Sequence, residues 1–252
     1  MRIKILVILL LIVVASCASK KDILYLQDAD YNSNTPIDYQ EVTIQPNDIL
    51  KITVESLIPE AVIPYNRVVS GASINSIELI RLEGYLVSNE GTINFPVLGE
   101  ISVSTLTIQE VGAKIEDLLI EGGHLKNPSI NVRLLNAKIT VLGEVNRPGT
   151  YTFTEQNITL LQALGYAGDL TINGKRNDII ITRDVNGVRK ISHIDITSTD
   201  FMNSEYYYIK PNDNIIVNPN DPKVKESGFI ANVGTVLTIA SLALSITILL
   251  TR

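Results

Sequence analysis

Apolar and polar positions alternate with period two through much of the middle of the chain, while both ends carry long, predominantly apolar runs without charge. Leu50, Ile52 and Val54 alternate with polar neighbours, the pattern of a half-buried strand. Val42-Thr43-Ile44 precedes them across Gln45-Pro46-Asn47-Asp48. Proline presets φ, and Asn and Asp bond their own backbone, so the stretch predicts a strand, a turn and a strand. Residues 57–76, with Pro59, Pro64 and Gly71, show no period and predict an irregular loop. Tyr85-Leu86-Val87, the turn Ser88 to Gly91 and Thr92 to Pro96 predict a second hairpin. Thr107-Ile108-Gln109-Glu110 is a capping box that opens a helix. Ile108, Val111, Ile115 and Leu118 recur on one face of that helix, and Gly122-Gly123 ends it. Ile130, Val132 and Leu134 alternate as the next strand.

A second unit opens with the apolar stretch Ile139 to Val145 and turns at Asn146-Arg147-Pro148-Gly149, returning through Tyr151 and Phe153. Pro148 followed by Gly149 in mid-turn predicts type II geometry, with φ positive at the glycine. A helix is expected from about 158 to 167, ending at Gly168, with strands at Asp178 to Arg183, Val188 to Ile196 and Ile215 to Val217. Strands, one helix and further strands predict an α+β roll whose sheet packs on its helix. Ile44-Gln45-Pro46-Asn47-Asp48 is echoed by Ile209-Lys210-Pro211-Asn212-Asp213, each leading into an apolar strand. Two readings stand: a good turn used twice, or two related units.

The ends carry different signals. Met1-Arg2-Ile3-Lys4, the apolar run Ile5 to Ala15 and a small-residue site predict a secretory signal over 1–16. Cys17, the only cysteine, follows Val14-Ala15-Ser16, which resembles the lipobox of bacterial lipoproteins and marks Cys17 for a covalent lipid. Ala18, in place of Asp, resembles the pattern of lipoproteins sent to the outer membrane. Residues 17–40 are polar and turn-rich, a tether between lipid and body. At the other end, Phe229 to Leu250 contains no charged residue and is followed by Arg252. As a helix it would be about 33 Å long, enough for the hydrocarbon core. A transmembrane helix over 229–250 is expected, after a linker over 219–228. On it Gly234, Thr238, Ser241 and Ser245 form a narrow stripe. The stripe fits close helix packing, a wet lumen, or hydroxyls bonded back to their own backbone.

Composition narrows the function. Twenty-one basic against 27 acidic residues give a net charge of -6, with no basic run beyond Lys20-Lys21, which excludes a nucleic-acid binder. Hydrophobic residues at 45 % and charged ones at 19 % exclude a disordered chain. A single cysteine excludes an intramolecular disulfide and a thiolate zinc cluster. His124 and His193 are far apart in sequence, and no nucleophile elbow, metal spacing or phosphate loop occurs. No catalytic residue, metal or cofactor is assigned, and a non-enzymatic protein is expected.

The order of the motifs is more specific than any one of them. Asp48 to Val54, then Gly84 to Val87 with Glu90-Gly91-Thr92-Ile93-Asn94-Phe95-Pro96, resemble the N-terminal domain of bacterial outer-membrane polysaccharide export lipoproteins of the Wza type. Val141-Leu142-Gly143-Glu144-Val145 with Arg147-Pro148-Gly149-Thr150-Tyr151 resembles the opening of the soluble-ligand-binding (SLBB) β-grasp domain that follows it, and Thr159 to Gly168 and Arg176 to Arg183 continue the match. Asp169 stands where many members have a second glycine, and the final helix is more apolar than their amphipathic barrel helices. The resemblance implies an α+β chain with an export domain at 41–135, one β-grasp domain at 136–218 and the C-terminal transmembrane helix. It implies a subunit of a homo-oligomeric, porin-like outer-membrane ring that exports capsular or exopolysaccharide. The body would sit in the periplasm, tethered by palmitate-type acylation of Cys17, with the C-terminus at the cell surface. Partners would be further copies, the polysaccharide in transit, the outer membrane and an inner-membrane synthesis or export complex. The alternative is a lipid-anchored periplasmic glycan- or protein-binding module without a pore.

Overall fold

The computed structural model describes residues 23–30, 39, 41–67, 83–185 and 187–226, with single positions 234, 237, 238, 241, 242 and 245. The expected signal, Cys17 and most of the span 229–250 lie outside the described residues. Two hydrophobic cores form, and Leu134 packs against both.

In the first unit, β1 (Ile49–Glu55) is the middle strand, antiparallel to β2 (Tyr85–Leu86) and β5 (Ser129–Leu134). The register sets Leu50 opposite Leu134, Ile52 opposite Val132 and Val54 opposite Ile130, so two alternating patterns share one inward face. Helix α1 (Ile108–Glu121) covers that face through Val111, Ile115 and Leu119. The Thr107 hydroxyl accepts from the Glu110 N–H at 3.2 Å and the Glu110 carboxylate from the Thr107 N–H at 2.7 Å, which completes the capping box. Leu119 is fully buried and Leu118 is 36 % exposed, a correction of one position to the expected face. Residues 111, 115 and 119 repeat every four positions and stay on the sheet, and one residue rotates a side chain by about 100°.

Both expected hairpins of this unit are corrected. Thr43 bridges Thr107, and Ile44 exchanges backbone bonds with Thr105 and Leu106, so Val42 to Ile44 does not pair with β1. The turn Ser88 to Gly91 exists, closed by Ser88 N–H to Thr92 O at 2.8 Å, yet its arms part. β2 joins β1, while β3 (Thr92–Phe95) pairs with β4 (Gly99–Ser102). A tight turn sets local direction, but burial of Tyr85 and Val87 against the first core selects the partner. A 3-10 helix, Pro59–Tyr65, occupies part of the stretch expected as loop.

The second unit is a five-stranded sheet of β6 (Lys138–Gly143), β7 (Gly149–Thr152), β9 (Gly174–Val185), β10 (Val188–Ile194) and β12 (Asn214–Pro219). The order is β10-β9-β12-β6-β7, with β12 parallel to β6 and antiparallel to β9. Helix α2 (Leu160–Tyr166) buries Leu160, Ala163 and Leu164 in the core, as the roll requires. Its expected start is corrected, because β8 (Ile158–Thr159) pairs with β11 (Tyr208–Ile209) and Thr159 caps α2. The type II turn is corrected as well: Gly149 has no positive φ and opens β7. The positive φ, +90°, falls on Gly143, where a Cβ would lie 2.0 Å from the Val217 carbonyl oxygen. Close approach to the parallel neighbour β12 fixes that glycine.

A short helix, α3 (Asp221–Glu226), lies within the expected linker. Beyond it Gly234, Leu237, Thr238, Ser241, Leu242 and Ser245 are helical and exposed. Among the described residues no helix is long and apolar enough to cross a membrane.

Candidate functional site

The two Pro-Asn-Asp turns share one geometry. Asn47 and Asn212 take φ of 70° and 69°, in the left-handed region that Asn tolerates. The Asp48 carboxylate accepts the Gln45 N–H at 2.9 Å, and the Asp213 carboxylate accepts the Lys210 N–H at 2.9 Å. Both carboxylates are buried, Asp48 at 3 % and Asp213 at 1 % exposure. Burial pushes the Asp48 carboxyl up to about 6, and the Gln45 N–H pulls only weakly the other way. At Asp213 burial again raises the pKa, and the Arg183 guanidinium opposes it. Arg183 holds both oxygens, with Nε to Oδ1 at 2.9 Å and Nη2 to Oδ2 at 2.7 Å. It also donates to the Glu205 and Tyr208 carbonyls and lies 4.7 Å from the Tyr206 ring.

The third expected turn, at Pro148 and Gly149, belongs to a cluster around the loop after α2. The Arg147 N–H donates to the Ala167 carbonyl at 2.8 Å, and the Asn146 amide to Gly168 O at 2.7 Å. The Thr171 hydroxyl donates to the Glu144 carboxylate at 2.7 Å. Asp169, at φ 72°, accepts its neighbour Leu170 N–H at 2.7 Å. That bond offsets the cost of the left-handed conformation at a residue other than glycine.

The same loop receives both ends of the described body. On one side Tyr25 Oη donates to Asp169 Oδ1 at 2.5 Å, and its ring lies 5.2 Å from the Arg176 guanidinium. Desolvation first, then the bond to Asp169, pushes the Tyr25 hydroxyl up to about 12, so it stays a donor. The Gln27 N–H donates to Thr197 O at 2.7 Å. Asp28 accepts from the Thr199 N–H at 2.7 Å, the Thr199 hydroxyl and the Ser198 hydroxyl. Desolvation raises the Asp28 pKa, but these bonds outweigh it and hold the carboxyl below its ordinary value. Residues 23–30 of the expected tether therefore lie against the second unit. On the other side the Asn220 N–H donates to Asn173 O at 2.7 Å, and the Asn220 carboxamide caps Lys223 N–H at 3.1 Å as α3 begins.

On the C-terminal stripe, the Thr238 hydroxyl donates to Gly234 O at 2.7 Å, Ser241 to Thr238 O at 2.9 Å and Ser245 to Ser241 O at 2.8 Å. These are the back-bonds that a helix supplies without a neighbour. Cys17 lies outside the described residues. Among the described residues no group of three or more His, Cys, Asp and Glu side chains is placed to hold a metal ion. His193 does meet a carboxylate, Asp178 Oδ1 at 2.5 Å, across β9 and β10.

Sequence reasoning misses Tyr25, Asp28 and Arg183. Ile23-Leu24-Tyr25-Leu26 is an apolar run inside a polar segment, and that contrast signals docking. Arg183 follows Ile179 and Ile181 at an inward position of the alternation, where a cation requires a buried counter-ion.

Comparison with known proteins fits this two-unit division. The family model described as polysaccharide biosynthesis/export protein matches residues 37–135, and the SLBB domain model matches 138–191. The chain is 33 % identical over 147 residues to the EPS I polysaccharide export outer membrane protein EpsA of Ralstonia solanacearum. The protein of that name from Ralstonia nicotianae matches at the same identity over the same length. Each match covers 56 % of this chain and 38 % of the relative, so the chain spans well under half the length of these relatives.

Proposed function

A chain that carries these two domains in this order belongs to the outer-membrane polysaccharide export family, and we propose that it is one subunit of an oligomeric outer-membrane channel for capsular or exopolysaccharide. The observation that supports this reading most strongly is the convergence of Tyr25 and Asn220 on the loop 169–174. The described stretches that precede the body, at Tyr25, and follow it, at Asn220, are both anchored to this one loop of the second unit. A lipid on Cys17 and a helix over 229–250 would then engage the same membrane, with the first unit held away from it in the periplasm.

A lone helix cannot enclose water, but a closed ring of helices satisfies its backbone internally and surrounds a lumen. The C-terminal helices would form that ring, placing Arg252 outside the cell. The hydroxyls of Thr238, Ser241 and Ser245 keep acceptor lone pairs for a neighbour or for lumen water while donating to their own carbonyls. The polymer would pass as a hydrated chain, delivered by an inner-membrane synthesis or export complex. Tight binding along the path would stall it.

Particle mass after detergent extraction, paired with surface polysaccharide after deletion of everything beyond Gly228, tests the proposal. A large ring, and loss of surface polysaccharide on deletion, are expected. A monomeric particle with export intact after the deletion returns the chain to the alternative, a lipid-anchored binding module.

A further inference from the structure

On the first unit, Lys51 of β1 and Arg133 of β5 are directly opposite in the register, and both are exposed on the sheet face turned away from α1. Like charges facing each other across a strand pair destabilise it. Among the described residues neither makes an ion pair. Glu55 shares the face but lies four residues along the strand from Lys51, about 13 Å away. The next rung on the other side is apolar, with Leu86, 61 % exposed, opposite Ile49.

The outer face of α1 has the opposite character. Asp117 and Glu121 are exposed and four residues apart, a like-charge spacing that weakens a helix. Neither makes an ion pair among the described residues. Lys114, one turn back, spends its ammonium on Ser102 O at 2.9 Å. Leu118, 36 % exposed, lies to one side of the two acids on the helix surface.

We infer that these two faces are the halves of one contact between successive copies of the chain: the Lys51–Arg133 sheet face of one copy seats the Asp117–Glu121 helix face of the next. The inference rests on the ring proposed above and assigns the surfaces that build it. Each face carries a like-charge pair that costs the isolated unit and is relieved by the other face. Each also offers an aliphatic spot, Leu86 with Ile49 against Leu118. Arg133 has the planar fork that grips a carboxylate with two parallel bonds. Because α1 packs on the inner side of the sheet, the two faces look in opposite directions. Their contact is therefore head-to-tail, the heterologous kind that builds a ring when the rotation from copy to copy closes. Pairing either face with itself would set like charges together.

The full-length chain, extracted in detergent and sized, tests the assignment through two charge reversals. Lys51→Glu with Arg133→Glu, or Asp117→Lys with Glu121→Lys, should each lower ring recovery at least about tenfold. All four positions are exposed, so circular dichroism should be unchanged. Lys51→Gln with Arg133→Gln is the milder variant and should give a partial loss. Co-expression of the two reversed chains, or all four substitutions in one chain, should restore the ring. If the wild type forms rings and both reversals assemble as well as it does, the assignment is overturned while the channel stands. The same holds if both reversals disrupt and neither combination rescues. A monomeric wild type removes the ring itself, and this contact with it.

Discussion

At Pro46-Asn47-Asp48 the Asn47 N–H donates to Val87 O and the Asp48 carbonyl accepts the Val87 N–H, at 3.0 and 2.8 Å. At Pro211-Asn212-Asp213 the Asn212 N–H goes to Lys138 O at 2.7 Å, while the Asp213 carbonyl accepts from Thr140 at 3.0 Å. In the first turn one residue serves both bonds, the mark of an antiparallel neighbour. In the second, two residues on either side of Ile139 share them, the mark of a parallel one. The same backbone turn thus launches β1 into an antiparallel sheet and β12 alongside a parallel strand. What the units share is the turn and not the topology. They also treat the turn's aspartate differently: Asp213 is buried against the Arg183 guanidinium, whereas the buried Asp48 carboxylate accepts the neutral Gln45 N–H. The same residue in the same turn is an anchor in one unit and a charge held at a cost in the other.

One substitution made at both turns should therefore act with opposite sign, and the larger effect belongs to the second unit. Asp213→Asn removes the counter-ion of Arg183, whose side chain is 3 % exposed. An orphaned buried guanidinium costs about 3–5 kcal/mol. Urea unfolding of the variant should show a loss of that size. A loss below about 1 kcal/mol would mean that the carbonyls of Glu205 and Tyr208 carry the arginine without the ion pair.

Asp48→Asn should stabilise the protein at pH 7.5. The folded-state pKa of about 6 lies above the ordinary aspartate value of 3.8, so the native state holds the proton more firmly than the unfolded chain. The contribution of Asp48 is fully present below about pH 4, declines as pH rises to about 6, and is flat beyond. The difference amounts to about 2–3 kcal/mol, and the amide keeps an acceptor for the Gln45 N–H. Urea midpoints of wild type and variant should converge near pH 4 and separate above pH 6, with Asn the more stable. Parallel curves across this range would place the Asp48 carboxylate in a better solvated site than its burial implies.

The two turns also show where sequence stops being informative. Their Pro-Asn-Asp signal is local and complete, as is the Thr107–Glu110 box, because all of its bonds close within four residues. The alternation of β1 and β5 is equally legible, since burial of one face imposes period two. Strand partners are not. Whether Val87 or Lys138 meets the turn depends on loop closure across dozens of residues, and nothing in the turn encodes it. Ile158 reads as helix because its neighbours are, until Ile209 pairs with it from fifty residues away. Arg183 and Asp213 stand thirty residues apart, and only the inward parity of β9 links them. Residues 23–30 dock on the second unit rather than on the sequence-adjacent first, a choice made by Asp169, Ile196 and Thr199 and visible in sequence only as an apolar run.

The smallest expected effect tests whether the two turns are alike where they are claimed to be. Asn47 and Asn212 are both exposed, and their φ values differ by one degree, 70° against 69°. A Cβ without a polar side chain is disfavoured there, because the left-handed region brings it against the following carbonyl. Asn47→Ala and Asn212→Ala should each cost about 1 kcal/mol, and Asn→Gly at either site should be close to neutral. If backbone strain alone is at stake, the two alanine penalties agree within about 0.5 kcal/mol, the scatter of additive sites. A much larger penalty at one turn would mean that its asparagine does more than hold φ. Site 47 has the stronger claim to that, because the Asn136 carboxamide bridges Asn47 O and Ile49 N–H, each at 2.9 Å. Any tilt of Asn47 would pull on both bonds. An excess penalty at site 47 should then vanish when Asn136→Ala is already in place, and an excess that persists in that background must come from the Asn47 side chain itself.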